Sequence, residues 1–378
     1  MKVDWLIVGA GFAGSVLAER IASQLHQKVL IVEKRNHIAG NAYDEFDEHG
    51  LLVHRYGPHI FHTNATAIWE YLQQFTQWRS YYHQVLGVVD GQQVPIPFNI
   101  NSLYALFPHY YAERLTQKLI EKYGFNVKVP ILSILENTQD ADLRFLAEYV
   151  YHNVFEQYTL KQWQLKPEDL APSVTARVPI YISRDNRYFQ DTYQGMPQAG
   201  YTALFQKMLK NPLIKVLLNT DYREVADEIQ YKRMIFTGEI DSYFSYVHGK
   251  LPYRSLNFNF IHTQQEQFQS VGTINYPNEY QYTRTTEFKQ LTGQRAYGST
   301  YIEEYPQPYV IGENIPYYPI PKEEYRALYR KYLAEAEKIK HKVLFVGRLA
   351  EYQYYNMDQV VAHALTVFNK GNVQLLDN

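Results

Sequence analysis

The pattern of apolar and polar positions predicts a mixed α and β chain. Residues 3–8 (VDWLIV) form a short apolar run, and residues 12–25 continue with the spacing of a helix. Residues 28–34 (KVLIVEK) then predict a second strand, so the chain begins as a β-α-β unit. Near the other end, Val343–Val346 predicts a strand, and the pattern from about Met357 predicts an amphipathic helix.

Between these ends the apolar period changes. Residues 101–165 have helical spacing, and Pro167 and Pro172 then predict a loop. Residues 179–192 and 243–320 are rich in Tyr, Phe, Thr and Ile with Pro and Gly between them, which favours antiparallel sheet. The stretches GYTALFQKMLK and IKVLLNT predict a helix and a strand that return to the first unit. The fold class we predict is α/β plus α+β.

The glycines after the first strand predict a dinucleotide site. Gly9, Gly11 and Gly14 complete G-x-G-x-x-G, which permits a tight turn and close approach of a pyrophosphate to a helix N-terminus. Glu33 ends the second strand, where an acid binds ribose hydroxyls. Flavoproteins of the glutathione-reductase-like class commonly end with a late strand and helix as this chain does, which implies FAD. An ordinary final βα unit would give the same late pattern.

These patterns predict a discontinuous Rossmann-like FAD-binding domain with an inserted helical domain and an antiparallel β-sheet domain. The predicted boundaries are 1–80, 200–242 and 321–378 for the FAD-binding domain, 81–178 for the helical domain, and 179–199 and 243–320 for the sheet domain.

Composition excludes several classes of protein. The formal charge is −2 with both signs interspersed, which argues against a nucleic-acid-binding protein. The chain has no cysteine, so disulfides, thiolate catalysis and zinc–thiolate sites are excluded. The histidines form no HExxH or other tight metal spacing, and we expect no metal. The N-terminus lacks a signal-peptide layout and no apolar run approaches about 20 residues, so we expect a cytoplasmic protein without a membrane partner.

The stretch VFEQYTLKQW is unusual for a helix surface. Phe155, Thr159 and Trp163 fall four apart and would share one face, with Tyr158 alongside. Such a face is too polar for a buried stripe and too aromatic for a solvated one, and it suits a flat, partly polar ligand. Periodicity alone also allows a helix–helix packing pair.

Ten motifs in order resemble the bacterial UDP-galactopyranose mutase family over nearly the whole chain. They are GAGFAG, EKRNHIAGNAYD, YGPHIFHT, FEQYTLKQW, VTARVPI, LPYRSLNF, INYP, YTRTTEFK, PYYPI and GRLAEYQYYNMD. The resemblance implies an isomerase that interconverts UDP-galactopyranose and UDP-galactofuranose for cell-surface polysaccharide biosynthesis. It also implies non-covalent FAD that is active when reduced, with N5 as the nucleophile at the anomeric carbon and no net redox change. A reductant such as NAD(P)H would be a partner, and a homodimer stays open.

The resemblance assigns the nucleobase and the diphosphate to particular residues. Phe155 and Trp163 would bracket the uracil, and Tyr158 and Thr159 would reach the pyrimidine or the nearby phosphates. Arginine suits a diphosphate because its planar fork binds phosphate oxygens bidentately. The implied essential arginines are Arg177, in a mobile lid, and Arg284, although surface ion pairs would explain either residue. Further substrate positions are Tyr188, Arg254, Asn275, Tyr318 and Tyr354.

The flavin side is assigned in the same way. His59 would lie against the flavin and assist proton movement during ring opening, although most lone histidines are satisfied polar groups. Asn356 stands where many relatives carry Asp, which leaves a carboxylate role at that position in doubt. The implied cofactor residues are Gly9, Gly11, Phe12, Ala13, Gly14, Glu33, Lys34, Asn41, His59, Ile60, Gly347, Arg348, Tyr354, Asn356 and Met357.

Two rival functions share the nucleotide fingerprint. An FAD-dependent oxidoreductase of the same fold would transfer electrons to oxygen or draw them from NAD(P)H, but the sequence contains nothing resembling a second dinucleotide fingerprint. A binding protein of the GDP-dissociation-inhibitor class would need no cofactor, and the intact glycines with Glu33 argue against it.

Overall fold

A computed structural model describes residues 1–170, 179–371 and 373. The chain divides into two compact units. The first unit comprises Met1–Ser80, Asp191–Tyr253 and Ile311–Asn378, and the second comprises Tyr81–Gln190 and Arg254–Val310. Each unit is therefore built from chain segments that are distant in sequence.

The strands and helices of the described residues are named in chain order. The strands are β1 Trp5–Val8, β2 Val29–Val32, β3 Asp44–Phe46, β4 Leu52–His54, β5 Phe61–Thr63, β6 Trp78–Ser80, β7 Val85–Val89, β8 Gln92–Ile96, β9 Lys128–Pro130, β10 Pro179–Tyr181, β11 Tyr193–Pro197, β12 Ile214–Leu217, β13 Arg233–Phe236, β14 Tyr253–Thr263, β15 Thr273–Asn275, β16 Arg284–Glu287, β17 Ser299–Pro308, β18 Tyr318–Pro319 and β19 Val343–Phe345. The helices are α1 Phe12–Gln24, α2 Thr66–Gln73, α3 Ile100–Leu106, α4 His109–Tyr123, α5 Ile131–Asn137, α6 Ala141–Val150, α7 Gln157–Trp163, α8 Tyr201–Met208, α9 Tyr222–Val225, α10 Ile240–Tyr243, α11 Phe288–Thr292, α12 Glu323–Lys338 and α13 Met357–Asn369.

The first unit contains a parallel sheet in the order β12-β2-β1-β13-β19. β1 and β2 are continuous apolar runs because both faces of a parallel sheet are buried. β19, from the end of the chain, pairs with β13 beside β1, so the two ends meet in one sheet as the sequence predicts. α1 contacts β1, β2 and β12 and packs along α13.

The second unit contains a mixed sheet in the order β14-β17-β16-β15-β7-β8. Its neighbouring strands run antiparallel except β15 and β7, which are parallel. Buried side chains of β7, β8, β9 and β10 join those of α3, α4, α5 and α6 in one hydrophobic core. This core supports the sheet and the helices that carry the predicted nucleotide residues.

The β7–β8 hairpin lies in a segment that the sequence pattern assigned to the helical domain. Asp90 and Gly91 join the two strands with φ angles of 49° and 74°. Asp-Gly with positive φ at both residues is the usual two-residue hairpin turn. This dipeptide, flanked by VLGVV and QQVPI, was the signal that could have located the hairpin.

None of the helices in the described part of the chain is long and apolar enough to cross a membrane.

Candidate functional site

In the first unit, the glycine loop between β1 and α1 requires glycine for steric reasons. Gly9 has a φ of 103°, and a Cβ on it would lie 2.2 Å from Thr237 Oγ1. A Cβ on Gly14 would lie 2.1 Å from the carbonyl oxygen of Gly9. Gly11 is the N-cap of α1 and has no side chain, so it leaves the first N–H groups of the helix for a ligand such as a phosphate.

The segment after β2 folds back on this loop. The Ala39 N–H donates to the Ala10 carbonyl at 2.9 Å. Gly40 has a φ of 57°, and a Cβ on it would lie 2.9 Å from the Gly11 Cα. Gly40 is thus a close-approach glycine that the sequence pattern did not single out. Two predicted cofactor residues differ in setting: Phe12 packs on Phe205 in the core, with centroids 4.6 Å apart, and Lys34 is exposed.

The Glu33 carboxylate is buried against the glycine loop. Its Oε2 accepts the Ala10 N–H at 2.9 Å, and its Oε1 accepts the Arg35 N–H at 3.0 Å. Each carboxylate oxygen can accept a further hydrogen bond. Glu33 therefore fixes the backbone of the loop and retains acceptor capacity for a ribose hydroxyl.

Arg35 is a candidate ligand residue that sequence reasoning missed. Its Nη2 donates to Asn41 Oδ1 at 2.9 Å, and its guanidinium lies over the Tyr56 ring at 4.4 Å. Its Nη1 is buried without a hydrogen-bond partner among the described residues. A buried donor of this kind carries a desolvation cost that an anionic or polar ligand would relieve. Together with Asn41 and Glu33, Arg35 fits the polar part of a dinucleotide.

Both the backbone and the ring of His59 are held by hydrogen bonds to nearby residues. The His59 N–H donates to His54 Nδ1 at 3.0 Å, and His59 Nδ1–H donates to the Gly57 carbonyl at 2.8 Å. These bonds make Nε2 the acceptor nitrogen of the neutral His59 ring. Complete burial lowers the pKa of His54 to about 4, so His54 stays neutral and keeps its acceptor. Ile60 continues the same half-buried segment.

Three residues that the sequence predicts to bind ligands lie close together at the turn after β19. Arg348 Nη2 donates to the Tyr355 carbonyl at 2.7 Å, and its guanidinium lies 5.6 Å from the Tyr318 ring centroid. Tyr318 and Tyr354 contact each other edge to face, with centroids 5.1 Å apart. The structure therefore places Arg348, Tyr318 and Tyr354 side by side in the first unit.

α13 begins at Met357 directly after this turn. Gln359 Oε1 accepts the Asn356 N–H at 2.8 Å, so Asn356 serves as the N-cap of the helix. An N-terminal helix end favours negative charge nearby. Asn preserves the cap without adding the negative charge that Asp would bring at this position.

In the second unit, a row of residues crosses four strands. Gly87 on β7 is opposite Asn275 on β15, Asn275 is opposite Arg284 on β16, and Arg284 is opposite Glu304 on β17. In-register residues point to the same face of a sheet. The Arg284 Nε and Nη2 both donate to Glu304 Oε2, at 3.0 and 2.8 Å, and the Glu304 side chain is only 2% exposed. Asn275 Oδ1 is buried without a partner among the described residues.

Arg254 lies on the same face but has a structural partner. Its Nε donates to the Gln162 carbonyl at 2.9 Å and its Nη2 to the Lys161 carbonyl at 3.4 Å, so it caps the last turn of α7. Burial lowers the pKa of Arg254 to about 10, which leaves it charged at neutral pH. The structure thus gives Arg254 a role in holding α7 on the sheet, which the prediction of a substrate-side residue did not include.

The helix that carries the predicted nucleobase residues is not regular. Tyr151–Glu156 is a π-helix, and α7 begins only at Gln157. Phe155 lies in the π turn and belongs to the hydrophobic core, and Thr159 and Trp163 lie on α7. All three side chains are buried, and Tyr158 is half-buried. The predicted residues are therefore distributed over a π turn and a regular α-helix, and their shared face stays a prediction.

Tyr188 lies beside His83 in the second unit, with ring centroids 5.8 Å apart. The Tyr188 N–H donates to the His83 carbonyl at 2.7 Å. Arg177, the remaining predicted catalytic residue, lies outside the described residues, as does the whole of 171–178, so the prediction of a lid there stays a prediction. Within residues 1–170, 179–371 and 373, no group of three or more acidic or histidine side chains could hold a metal ion.

Comparison with known proteins gives consistent matches. The family model described as UDP-galactopyranose mutase matches residues 153–354, and one described as an NAD(P)-binding Rossmann-like domain matches residues 7–75. A probable UDP-galactopyranose mutase of Klebsiella pneumoniae is 36% identical and is matched over 95% of this chain and 92% of that protein. The UDP-galactopyranose mutase of Mycoplasma genitalium is also 36% identical, with the same coverage of each chain.

Two further matches bear on the substrate and the fold. A dTDP-fucopyranose mutase of Escherichia coli is 32% identical, over 95% of this chain and 96% of that protein. The crystal structure of a reduced UDP-galactopyranose mutase superposes with a TM-score of 0.72 at 16% identity, covering 98% of this chain and 93% of the other. This similarity confirms the predicted fold class, including the Rossmann-like unit.

Proposed function

Because this chain belongs to the UDP-galactopyranose mutase family, we propose that it interconverts UDP-galactopyranose and UDP-galactofuranose without net redox change. The observation that carries the proposal is the similarity to two relatives of that name over 95% of the chain. Chromatography of UDP-galactofuranose incubated with dithionite-reduced protein tests it. Appearance of UDP-galactopyranose is the expected result, and its absence at high enzyme concentration would contradict the proposal.

The proposed cofactor is FAD, bound by the first unit. The glycine loop and α1 would hold its diphosphate, and Glu33 with Arg35 would hold the adenosine side. Reduced flavin, when bound, would supply N5 as the nucleophile for the anomeric carbon. The α13 N-terminus favours the negative charge of the reduced ring. His59, through Nε2, is the proposed group that accepts or returns a proton during ring opening.

The second unit would hold the nucleotide that leaves and returns. Arg284 offers a guanidinium that Glu304 fixes in position, and Asn275 Oδ1 is a neighbouring buried acceptor. A fixed cation stabilises charge that develops on a leaving diphosphate without reorganising during the reaction. We propose the same task for Arg177, supported by its motif alone, and a phosphate hydrogen bond for Tyr188. The phosphate contacts predicted for Tyr318 and Tyr354, which belong to the first unit, rest on their motifs alone. An electron donor such as NAD(P)H is the proposed reductant.

A dTDP-fucopyranose mutase activity is the second candidate. It is favoured by the Escherichia coli relative of that name, which matches nearly the whole chain at 32% identity. The two substrates differ in the base methyl group, in the 2′-hydroxyl of the nucleoside ribose and in the sugar 6-hydroxyl. Competition between the two sugar nucleotides for the reduced protein, measured as the ratio of kcat/KM values, decides which is preferred.

We expect FAD to be bound without a covalent bond. The chain has no cysteine for a thioether link, although a histidyl link remains chemically open. Acid precipitation of the yellow protein should therefore release the colour into the supernatant, where mass spectrometry identifies FAD. Colour retained in the pellet would contradict this expectation.

Trp163→Ala should weaken UDP binding by about 1–3 kcal/mol, the contribution of one stacked base. Leu146→Ala is the matched control, because Leu146 belongs to the helical core and its loss should cost about 2–5 kcal/mol of unfolding free energy. Calorimetric titration with UDP and urea unfolding separate the two effects. If Trp163→Ala destabilises the fold and binds UDP normally, Trp163 is a packing residue.

A further inference from the structure

The Gly347–Arg348 turn is tied to α13 by a carboxylate and a histidine. Glu351 Oε2 accepts the Gly347 N–H at 2.7 Å, and Glu351 Oε1 accepts a hydrogen bond from His363 Nε2 at 2.8 Å. His363 lies in the middle of α13. Both oxygens of one carboxylate are therefore engaged, one by the turn and one by the helix.

This turn lies directly against α1, the helix that follows the glycine loop. Gly347 has a φ of 111°, and a Cβ on it would lie 3.1 Å from the Ala13 Cβ. Arg348 extends the connection, because it donates to the Tyr355 carbonyl just before α13. Displacing the Gly347 N–H would therefore shift the backbone that contacts α1 and the start of α13, the two helix ends proposed to receive the cofactor.

We propose that Glu351 is a positioning residue for the cofactor and that His363 is its titratable counter-charge, so that cofactor affinity decreases as His363 loses its proton. The inference rests on the proposed function, since it takes FAD as the ligand. The diphosphate and the reduced flavin are both negatively charged. A Glu351 carboxylate compensated by His363 repels them little, whereas an uncompensated carboxylate in the same turn repels them.

The sign of the pH effect follows from the groups around His363. The hydrogen bond to Glu351 raises the pKa of His363, against the opposing effects of partial burial and Lys370. The Tyr355 ring stacks on His363 at 6.0 Å, and its pKa is raised to about 12, so it stays neutral. Charge compensation is thus complete at low pH and is lost as the pH rises through the raised pKa of His363.

Charged groups on the elements packed against α13 have other partners or lie on other surfaces. On α1, Glu19 is bonded to Arg20 and to Tyr71. On β5, His62 is bonded to Asp191. The remaining charged residue on these elements is Glu70 of α2, which faces solvent.

The test uses two near-isosteric variants with opposite expected results. His363→Gln can still donate to Glu351 but carries no charge, so its FAD affinity should stay at the weak level that wild type reaches at high pH. Glu351→Gln can still accept the Gly347 N–H but removes the negative charge. Without Glu351, partial burial and Lys370 lower the pKa of His363, so the pair is uncharged over most of this pH range and affinity should stay near the tight level of low pH. Wild type should weaken about fivefold between about pH 6 and pH 9.

The matched control is His248→Gln. His248 also pairs with a glutamate, Glu335 of α12 at 3.3 Å, and its ring lies against Tyr332 of the same helix. This variant should keep the wild-type pH dependence. The flavin reduction potential is measured with reference dyes over the same pH range. In wild type it should become more negative as the pH rises, because an uncompensated Glu351 carboxylate disfavours the negatively charged reduced ring. His363→Gln should lack this part of the pH dependence.

A wild-type pH profile retained in His363→Gln, or parallel profiles in both variants, would overturn the proposal. Hydrogen exchange of the 343–352 segment in the cofactor-free protein gives a separate measurement. Exchange should be faster in Glu351→Ala than in Glu351→Gln if Glu351 holds the Gly347 N–H, and equal exchange would also overturn the positioning role. Failure of wild type to bind FAD at all would instead refute the proposed function, and the exchange result would still decide the role of Glu351.

Discussion

Replacing Arg284 by methionine is expected to lower kcat by about two to three orders of magnitude, the usual cost of removing one fixed group that stabilises developing charge. Methionine keeps most of the apolar stem and removes the guanidinium. Arg284 is in register with Asn275, and Glu304 holds its Nε and Nη2. A cation fixed in this way can meet the phosphate charge that develops as the nucleotide leaves.

The same substitution should destabilise the fold. Glu304 is nearly inaccessible, and without Arg284 its carboxylate would be a buried charge with no compensation, which costs about 3 kcal/mol. Low activity in the single variant would therefore have two causes. Urea unfolding monitored by tryptophan fluorescence measures the loss of stability independently of the chemistry.

A double variant separates the two causes. Adding Glu304→Gln to Arg284→Met removes the uncompensated charge, so stability should return to near the wild-type value while kcat stays low. Arg284→Lys should recover only part of kcat, because an ammonium group cannot reproduce the planar fork. If the double variant recovers normal turnover, Arg284 is a structural partner of Glu304 and has no catalytic role.

Oxidising the bound flavin is expected to lower turnover by at least about two orders of magnitude, as is usual when an enzyme loses its nucleophile. Oxidised flavin N5 is electrophilic and cannot attack an anomeric carbon. The measurement compares conversion of UDP-galactofuranose by air-oxidised and dithionite-reduced protein under anaerobic conditions. The reduced state should persist over many turnovers, because no net electrons are consumed.

Two controls accompany this comparison. Dithionite with UDP-galactofuranose and no protein excludes direct reduction of the sugar nucleotide. UDP binding should be similar in both oxidation states, which would show that the oxidised protein still holds its ligand. Equal turnover of oxidised and reduced protein would eliminate the nucleophilic role of the flavin.

The sequence by itself determined the parts of this protein that depend on neighbouring residues. The apolar run of β1, the glycines around the start of α1 and Glu33 after β2 are local signals, because the turn, the helix start and the strand end lie within 33 residues. The resemblance over ten motifs added the family, which the comparisons confirm. The roles assigned to individual site residues stay predictions, and Arg177 lies outside the described residues.

The tertiary structure decided what depends on pairing between distant segments. The sequence nominated Asn275 and Arg284 separately, but only the register of β15, β16 and β17 places them in one row with Glu304. The π turn before α7 is a non-local result as well, because no residue pattern in YHNVFE distinguishes it from an α-helix. Phe155 lies in this turn and Trp163 lies on α7. The sequence thus identified which residues were candidates for the site, and long-range strand pairing and packing determined which residues they contact.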